Sequence, residues 1–512
     1  VSAGLTLAVL LTLVLPASAA TIVVDRAHAK ASDEAAGTAD APLKTIAKGL
    51  ALANPGDTVL VKAGRYDETV AITKSGEDGK PLTLQAAPGE EVAILGGLDL
   101  TEVSFVRVEG FKFTVGEAAK ARKVFVSVSK VKQSEIARCE IVENLDSKDW
   151  LIRGIDILGC EKFTFRDSKV HHVDLGVNLG ADKDCTIDSV EIGPWDHEDG
   201  LRMINCDGIL IQNCHIQSEE TYRGGHVMSG HIDGIQIIRK NDNLTIRNNY
   251  IHGTMQGIGC FTDSFGDKWK EPRKNLRIEG NLILTFNRYH AISMYRVENP
   301  VIINNTAPVS RIEVGNVTGD QGVVKNNIAV IGSVATGIAQ ADCNLWTEEL
   351  KSGSKTGPHD LVKVAAAFVR APTYDEATDY KRVAEFTEKK VFFMDDIAGR
   401  IAVGDLVEVG GDKLLRKVTA VDGKALEFDP PLPAKPAAAP RVANWKAGTQ
   451  DFTRDYRLTA ASPAVDSADG SVGRGKDRAG NVAIDVPGVA DKGLGNPPYL
   501  DRGALEFVPP AK

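Results

Sequence analysis

The chain has 512 residues, 43% of them hydrophobic, and 60 Lys and Arg against 69 Asp and Glu give a net charge of −9 at pH 7. That balance lacks the basic stripe on which general nucleic-acid binding depends, so no nucleic-acid partner is expected. The one strongly apolar run lies within residues 1–20 and is too short for a membrane span, which needs about 20 consecutive apolar residues.

Residues 1–20, VSAGLTLAVLLTLVLPASAA, read as a signal peptide: an apolar run ends in Pro16 and the small residues Ala17-Ser18-Ala19. A secreted or periplasmic location is expected from it. Residues 21–57 read as an N-terminal cap. Within them Leu43, Ile46, Ala47, Leu50 and Ala53 share one helical face, and Pro55-Gly56 stops the helix. A helix there is expected to cover the open end of the structure that follows.

From residue 58 to residue 345 the chain repeats itself. The first apolar residue after each turn falls at Ile155, Val177, Leu201, Ile235, Ile258 and Ile292, in steps of 22, 24, 34, 23 and 34. A base period of about 22 to 25 with two insertions accounts for the series, and short period-2 strands bounded by Gly, Asn and Asp fill each unit. Such units bury their apolar faces only against their neighbours, so the expected architecture is a solenoid. Seven cysteines fall inside it. Cys160 and Cys206 hold equivalent positions two repeats apart, about twice the ~4.8 Å strand spacing, which is too far to bridge. The cysteines are expected to fill small inward positions as free thiols.

Near Trp346 the repeat stops. Residues 346–440 read as a small antiparallel β module with linkers: strands are expected within 391–430, with turns at Gly410-Gly411-Asp412 and Asp422-Gly423, followed by the Pro/Ala run of 430–440. Residues 441–512 read as a tail that packs back on the solenoid.

Aligning the repeats produces columns. Two residues before the register position lie Arg153, Leu175, Asp199, Asp233, Gln256 and His290; four before lie His197 and His231; one after lie Asp156, Asn178, Arg202, Gln236, Gly259 and Ser293. The last column alternates with inward apolar residues and so faces out. Strict alternation turns Asp233 inward, so a working role for it requires the alternation to begin after Gly234. The two insertions, within Gln217–Gly230 and Thr262–Lys274, flank this face and carry Tyr222, Arg223, His226, Trp269, Lys270 and Arg273. Aromatic and guanidinium groups beside a groove suit a sugar ring and a carboxylate. Asn248/Asn249, Asn281, Asn304/Asn305 and Asn326/Asn327 form a further column, expected to be a ladder of stacked amides within a turn.

The phrases DGIQ, NLTI and IRNN resemble the right-handed parallel β-helix of the pectate lyase-like superfamily, over roughly residues 55 to 345. The resemblance implies an all-β, secreted, carbohydrate-active protein whose partner is a polysaccharide. Hydrolases of the superfamily carry an Asn-Thr-Asp, an Asp-Asp pair, a Gly-His-Gly and an Arg-Ile-Lys. Here stand Glu198-Asp199, Gly230-His231-Ile232 and Ile238-Arg239-Lys240, a different set. A lyase acting on an acidic, uronate-containing polysaccharide by β-elimination is the leading expectation. In that reading Arg202, or a Ca²⁺ ion on Asp199 and Asp233, neutralises the substrate carboxylate, and His231 or His197 is the base. Gln236, His290, Tyr222, Arg223, Trp269 and Arg273 are the candidate substrate-binding residues. The alternatives are a glycoside hydrolase using Asp199 and Asp233 as acid and base, and a non-catalytic carbohydrate-binding β-helix. A monomer is expected.

Overall fold

A computed structural model of the chain describes residues 19–116, 122–143, 152–195, 198–218, 233–260, 271–285, 290–370, 374–376, 383–394, 396–410, 412, 414–435, 442–446, 455–473 and 475–509. The signal-like segment, up to residue 18, lies outside these residues. No helix among them is long and apolar enough to cross a membrane.

The repeats wind into a right-handed parallel β-helix. One face is a 13-stranded parallel sheet that starts with Thr21–Val24 and ends with Gln340–Asp342. Each strand offers every second side chain to the interior, so one inward apolar residue stacks on the next along the solenoid axis. Val59, Leu84, Val108, Ile136, Phe165, Ile187 and Ile211 are aligned Cα to Cα in consecutive rungs, and all are within 1% of complete burial. The remaining faces form a second, 22-stranded parallel sheet that reaches Leu361–Val362, one partial rung beyond the expected end at 345.

The turns are closed by amides. Asn249, Asn281, Asn305, Asn327 and Asn344 each donate from Nδ2 to the side-chain oxygen of the next, at 2.9 to 3.1 Å, and the ladder ends on Asp360. The same oxygens accept the backbone N–H of the residue one rung back, so each buried amide satisfies its neighbour. All seven cysteines are buried and free.

The N-terminal region does two jobs. Thr21–Val24 pairs in parallel with Thr58–Val61 and extends the sheet. Helix Ile46–Leu52, capped by Thr45 Oγ1 accepting from Lys48 N, then covers the core with Ile46 and Leu50. A Cβ on Gly49 would lie 2.7 Å from Val59 Cγ1, so glycine lets the helix sit close on that strand.

After the solenoid, Phe368–Arg370 pairs antiparallel with Asp455–Leu458. Between them the chain leaves to build a seven-stranded antiparallel sheet with its own core of Val391, Val407, Val418 and Leu426. This sheet is wider than the expected 391–430. It takes in Tyr374–Glu376 and Val442–Lys446, past the expected boundary at 440, because Val442–Lys446 supplies the partner for Leu406–Val409. The tail returns to the β-helix. Lys325 Nζ meets Asp469 Oδ2 at 2.7 Å, Ala504 N donates to Thr306 Oγ1 at 2.8 Å, and Arg502 donates to the Asn344 carbonyl at 2.8 Å.

Candidate functional site

The outward column anticipated from the repeat is continuous in the fold. Asp99, Ser127, Asp156, Asn178, Arg202, Gln236, Gly259, Ser293 and Glu313 are aligned Cα to Cα across consecutive rungs. Although they lie outside the apolar core, Asp156, Asn178, Gln236 and Glu313 are each less than 8% exposed.

Asp199 and Asp233 join this column from its edge, and glycine is the reason. A Cβ on Gly234 would meet Ile251 Cγ2 at 2.5 Å and the Gly257 carbonyl at 2.9 Å; one on Gly200 would meet Ile216 Cγ2 and the Gly234 carbonyl at 2.9 Å. At this corner both the glycine and the isoleucine or leucine after it point to the interior. The alternation is therefore broken at Gly234, and Asp233 lies on the outer side, where the Gln236 amide interacts with its carboxylate. Asp199 and Asp233 are in direct contact: the Asp233 N–H donates to Asp199 Oδ1 at 3.3 Å. They are 4% and 0% exposed. Burial pushes Asp199 up to about 7, with Arg202 working against it. Burial and then the Asp199 charge push Asp233 well above the ordinary carboxylate value. Burial of two neighbouring carboxylates disfavours charging both at once.

Toward the N-terminal end the column is an ionic chain. Arg153 Nη2 meets Asp156 Oδ2 at 2.8 Å, Asn178 Nδ2 donates to Asp156 Oδ1 at 3.2 Å, and Arg202 Nε donates to Asn178 Oδ1 at 3.3 Å. Arg202 also pairs with Glu198.

Toward the C-terminal end Glu313 is the centre of a second cluster. It accepts from His290 Nε2 at 2.7 Å, from the Tyr295 hydroxyl, and from Lys351 Nζ at 3.2 Å. The His290 hydrogen bond and its companions hold Glu313 well below the usual carboxylate range. Burial, reinforced by Glu313, pushes Tyr295 up to about 12, so the phenol stays a donor. His290 reaches Glu313 because the pairing slips here: His290 opposes Arg311 and Ile292 opposes Ile312, one extra residue on the first strand. A bulge of this kind re-aims a side chain.

Of the residues singled out in the sequence, Asp199, Asp233, Arg202, Gln236 and His290 all lie on this outer face. His197, His231, Tyr222, Arg223 and Trp269 lie outside the described residues. Arg273 is 3% exposed, and its Nη1 donates to the Tyr295 carbonyl at 3.3 Å. Glu313, Tyr295 and Lys351 escaped the sequence reading. Glu313 was within reach: it stands one rung after Ser293 in the same outward column.

A Ca²⁺ ion takes oxygen ligands, six to eight of them. Asp199 and Asp233 supply carboxylates, and the buried Gln236 Oε1 has no hydrogen-bond partner. This donor set is all oxygen and fits a hard cation.

The fold and this column define a right-handed parallel β-helix with a polar, carboxylate-bearing face. Residues 153–329 match the family model for the right handed beta helix region, and residues 29–79 match a family described as a protein of unknown function, DUF1565. Among curated proteins the chain is 40% identical over 65 residues to the uncharacterized protein YwoF of Bacillus subtilis, and 45% identical over 67 residues to pectate lyase PEL9 of Emericella nidulans. Each match covers 13% of this chain, and 14% and 16% of the relatives' own length. Among solved structures, pectate lyase Pel9A is similar over 96% of this chain and 97% of that chain, at 14% identity and a TM-score of 0.42.

Proposed function

We propose that this β-helix is a polysaccharide lyase-like enzyme that cleaves an acidic, uronate-containing polysaccharide by β-elimination, outside the cytoplasm as the signal-like residues 1–20 imply. The observation that carries the reading is the outward column, in which a guanidinium, an acidic pair and a carboxylate-held histidine follow one another along a solenoid face. The 45% identical segment shared with a pectate lyase supports the same class.

β-Elimination removes the proton alpha to the uronate carboxylate, breaks the bond from the neighbouring carbon to the glycosidic oxygen, and leaves a carbon–carbon double bond. Arg202 would pair with the substrate carboxylate, exchanging its present contacts with Glu198 and Asn178. Asp199, Asp233 and Gln236 would hold a Ca²⁺ ion, which when bound supplies further charge neutralisation. Among the described residues His290 is the proton acceptor. Its Nε2 is held against the Glu313 carboxylate, which fixes the orientation of the ring. Tyr295, kept protonated, is the candidate donor to the departing oxygen.

Digestion of a panel of uronate polysaccharides tests this. New ultraviolet absorbance from the unsaturated product together with new chain ends is the expected result. Reducing ends without absorbance would make the protein a hydrolase instead, with Asp199 and Asp233 as acid and base. Binding with neither signal would make it a carbohydrate-binding protein.

A further inference from the structure

We propose that the closing segment of the chain carries a separate divalent-cation site, suited to Ca²⁺, on Asp466, Asp485 and Asp491. One carboxylate oxygen from each of the three lies within 4.8 Å of the others. The chain brings them together by folding back. Val489 N donates to the Val486 carbonyl at 3.0 Å, closing the turn between Asp485 and Asp491, and Lys492 N donates to the Asp466 carbonyl at 2.7 Å, seating that turn over Asp466.

A patch of exposed acids would mean little, but Asp466 is not exposed. It is completely buried, and neither of its carboxylate oxygens has a hydrogen-bond partner of normal geometry. The Val486 N–H favours its charged form without closing such a bond. Among the described residues no Lys, Arg or His forms an ion pair with Asp466, Asp485 or Asp491. A buried, unsatisfied carboxylate facing two more is costly as it stands. A cation with several oxygen ligands removes that cost, with Asp466 as the inner ligand and exposed Asp485 and Asp491 leaving positions for water. Ca²⁺ suits this irregular, part-open set better than Mg²⁺, which demands near-octahedral geometry.

The location gives the ion a purpose. Three residues on from Asp466, Asp469 bonds to Lys325 and Asn326 of the β-helix. A cation that ties 485–491 to Asp466 therefore clamps the tail where it grips the solenoid.

The test uses the full chain, stripped with EDTA and titrated with CaCl₂. Binding is read by calorimetry and by equilibrium dialysis, and the tail by limited proteolysis within 485–491. Asp485→Asn with Asp491→Asn is the working variant, because both side chains are exposed. Asp199→Asn with Asp233→Asn is the control for any ion at that pair. The expected result is a Ca²⁺-dependent rise in melting temperature and protection of 485–491. Both should be kept in the control variant and lost in the tail variant, with affinity at the tail falling at least about tenfold. Protection that persists in the tail variant, or that disappears only in the control variant, would overturn the proposal. So would wild-type protein that binds no Ca²⁺ at millimolar concentration. Lyase activity is not part of the readout, so the outcome stands apart from the proposed reaction.

Discussion

The backbone N–H of Asp233 points at the carboxylate of Asp199, 3.3 Å away, so two acids from consecutive turns of the β-helix are locked into one buried unit. The unfolded chain would release both protons near pH 4. The folded chain keeps the Asp199 proton to about pH 7, and burial with the Asp199 charge holds Asp233 well above the ordinary carboxylate value. Between these limits the folded state binds more protons, so stability falls as pH rises through the window. In EDTA the melting temperature should drop between about pH 4 and pH 7. Asp199→Asn and Asp233→Asn should each flatten that drop, and the double variant should add little beyond either. With Ca²⁺ present the wild-type curve should flatten as well, since the ion replaces the shared proton. Melting curves with the same pH slope in all variants would show that the pair does not titrate.

His290→Ala should lower kcat by about 10²- to 10⁴-fold, the usual cost of losing a general base, with a much smaller change in KM. Glu313→Gln keeps the shape and removes the charge that orients His290 and Tyr295. It should move the alkaline side of the pH–rate profile, because the Tyr295 phenol loses the Glu313 charge that helps to raise it. Steady-state kinetics on an active uronate substrate checks both, and a Glu313→Gln enzyme with an unchanged profile would remove Glu313 from the mechanism.

Asn305 sits mid-ladder, donating to the Ile278 and Ile303 carbonyls and to Asn327 while accepting from Asn281. Asn305→Ala would strand these groups away from water. Each buried partner left unsatisfied costs about 1–3 kcal/mol, so a loss of at least that size is expected in denaturant melts. Asn243, whose amide bonds Asp207 on the exposed side of a turn, is the comparison: its replacement by Ala should cost well under half as much.

Arg370 and Asp455 are register partners in the antiparallel pair from which the seven-stranded sheet departs. The chain therefore leaves and re-enters at one place. Replacing 371–454 by a short Gly/Ser turn should give a soluble protein that still melts cooperatively, with the far-ultraviolet spectrum of the β-helix. An insoluble or molten product would mean that the module is needed to finish the solenoid.

The parallel β-helix was legible in the sequence because a solenoid is periodic. Once Ile155, Val177, Leu201, Ile235, Ile258 and Ile292 are placed in one column, neighbouring positions fall into columns too, and the structure has the same register. The adjacency of Asp199 and Asp233, and the placing of Arg202 and Gln236 side by side, follow from counting alone. What counting could not decide is which way a side chain turns at a corner, or where pairing slips. Asp233 faces out because a side chain on Gly234 would strike Ile251, a contact between residues 17 apart in the chain. His290 meets Glu313 because of a one-residue bulge that no periodicity encodes. The three aspartates of the tail come from a segment with no repeat at all. They meet only because the turn between Asp485 and Asp491 packs back on Asp466. Periodic hydrophobicity determines the register of strands, since each rung must bury its apolar face on the next. Corners, bulges and non-repeating segments are decided by steric contacts between distant residues, and those exist only in the folded chain.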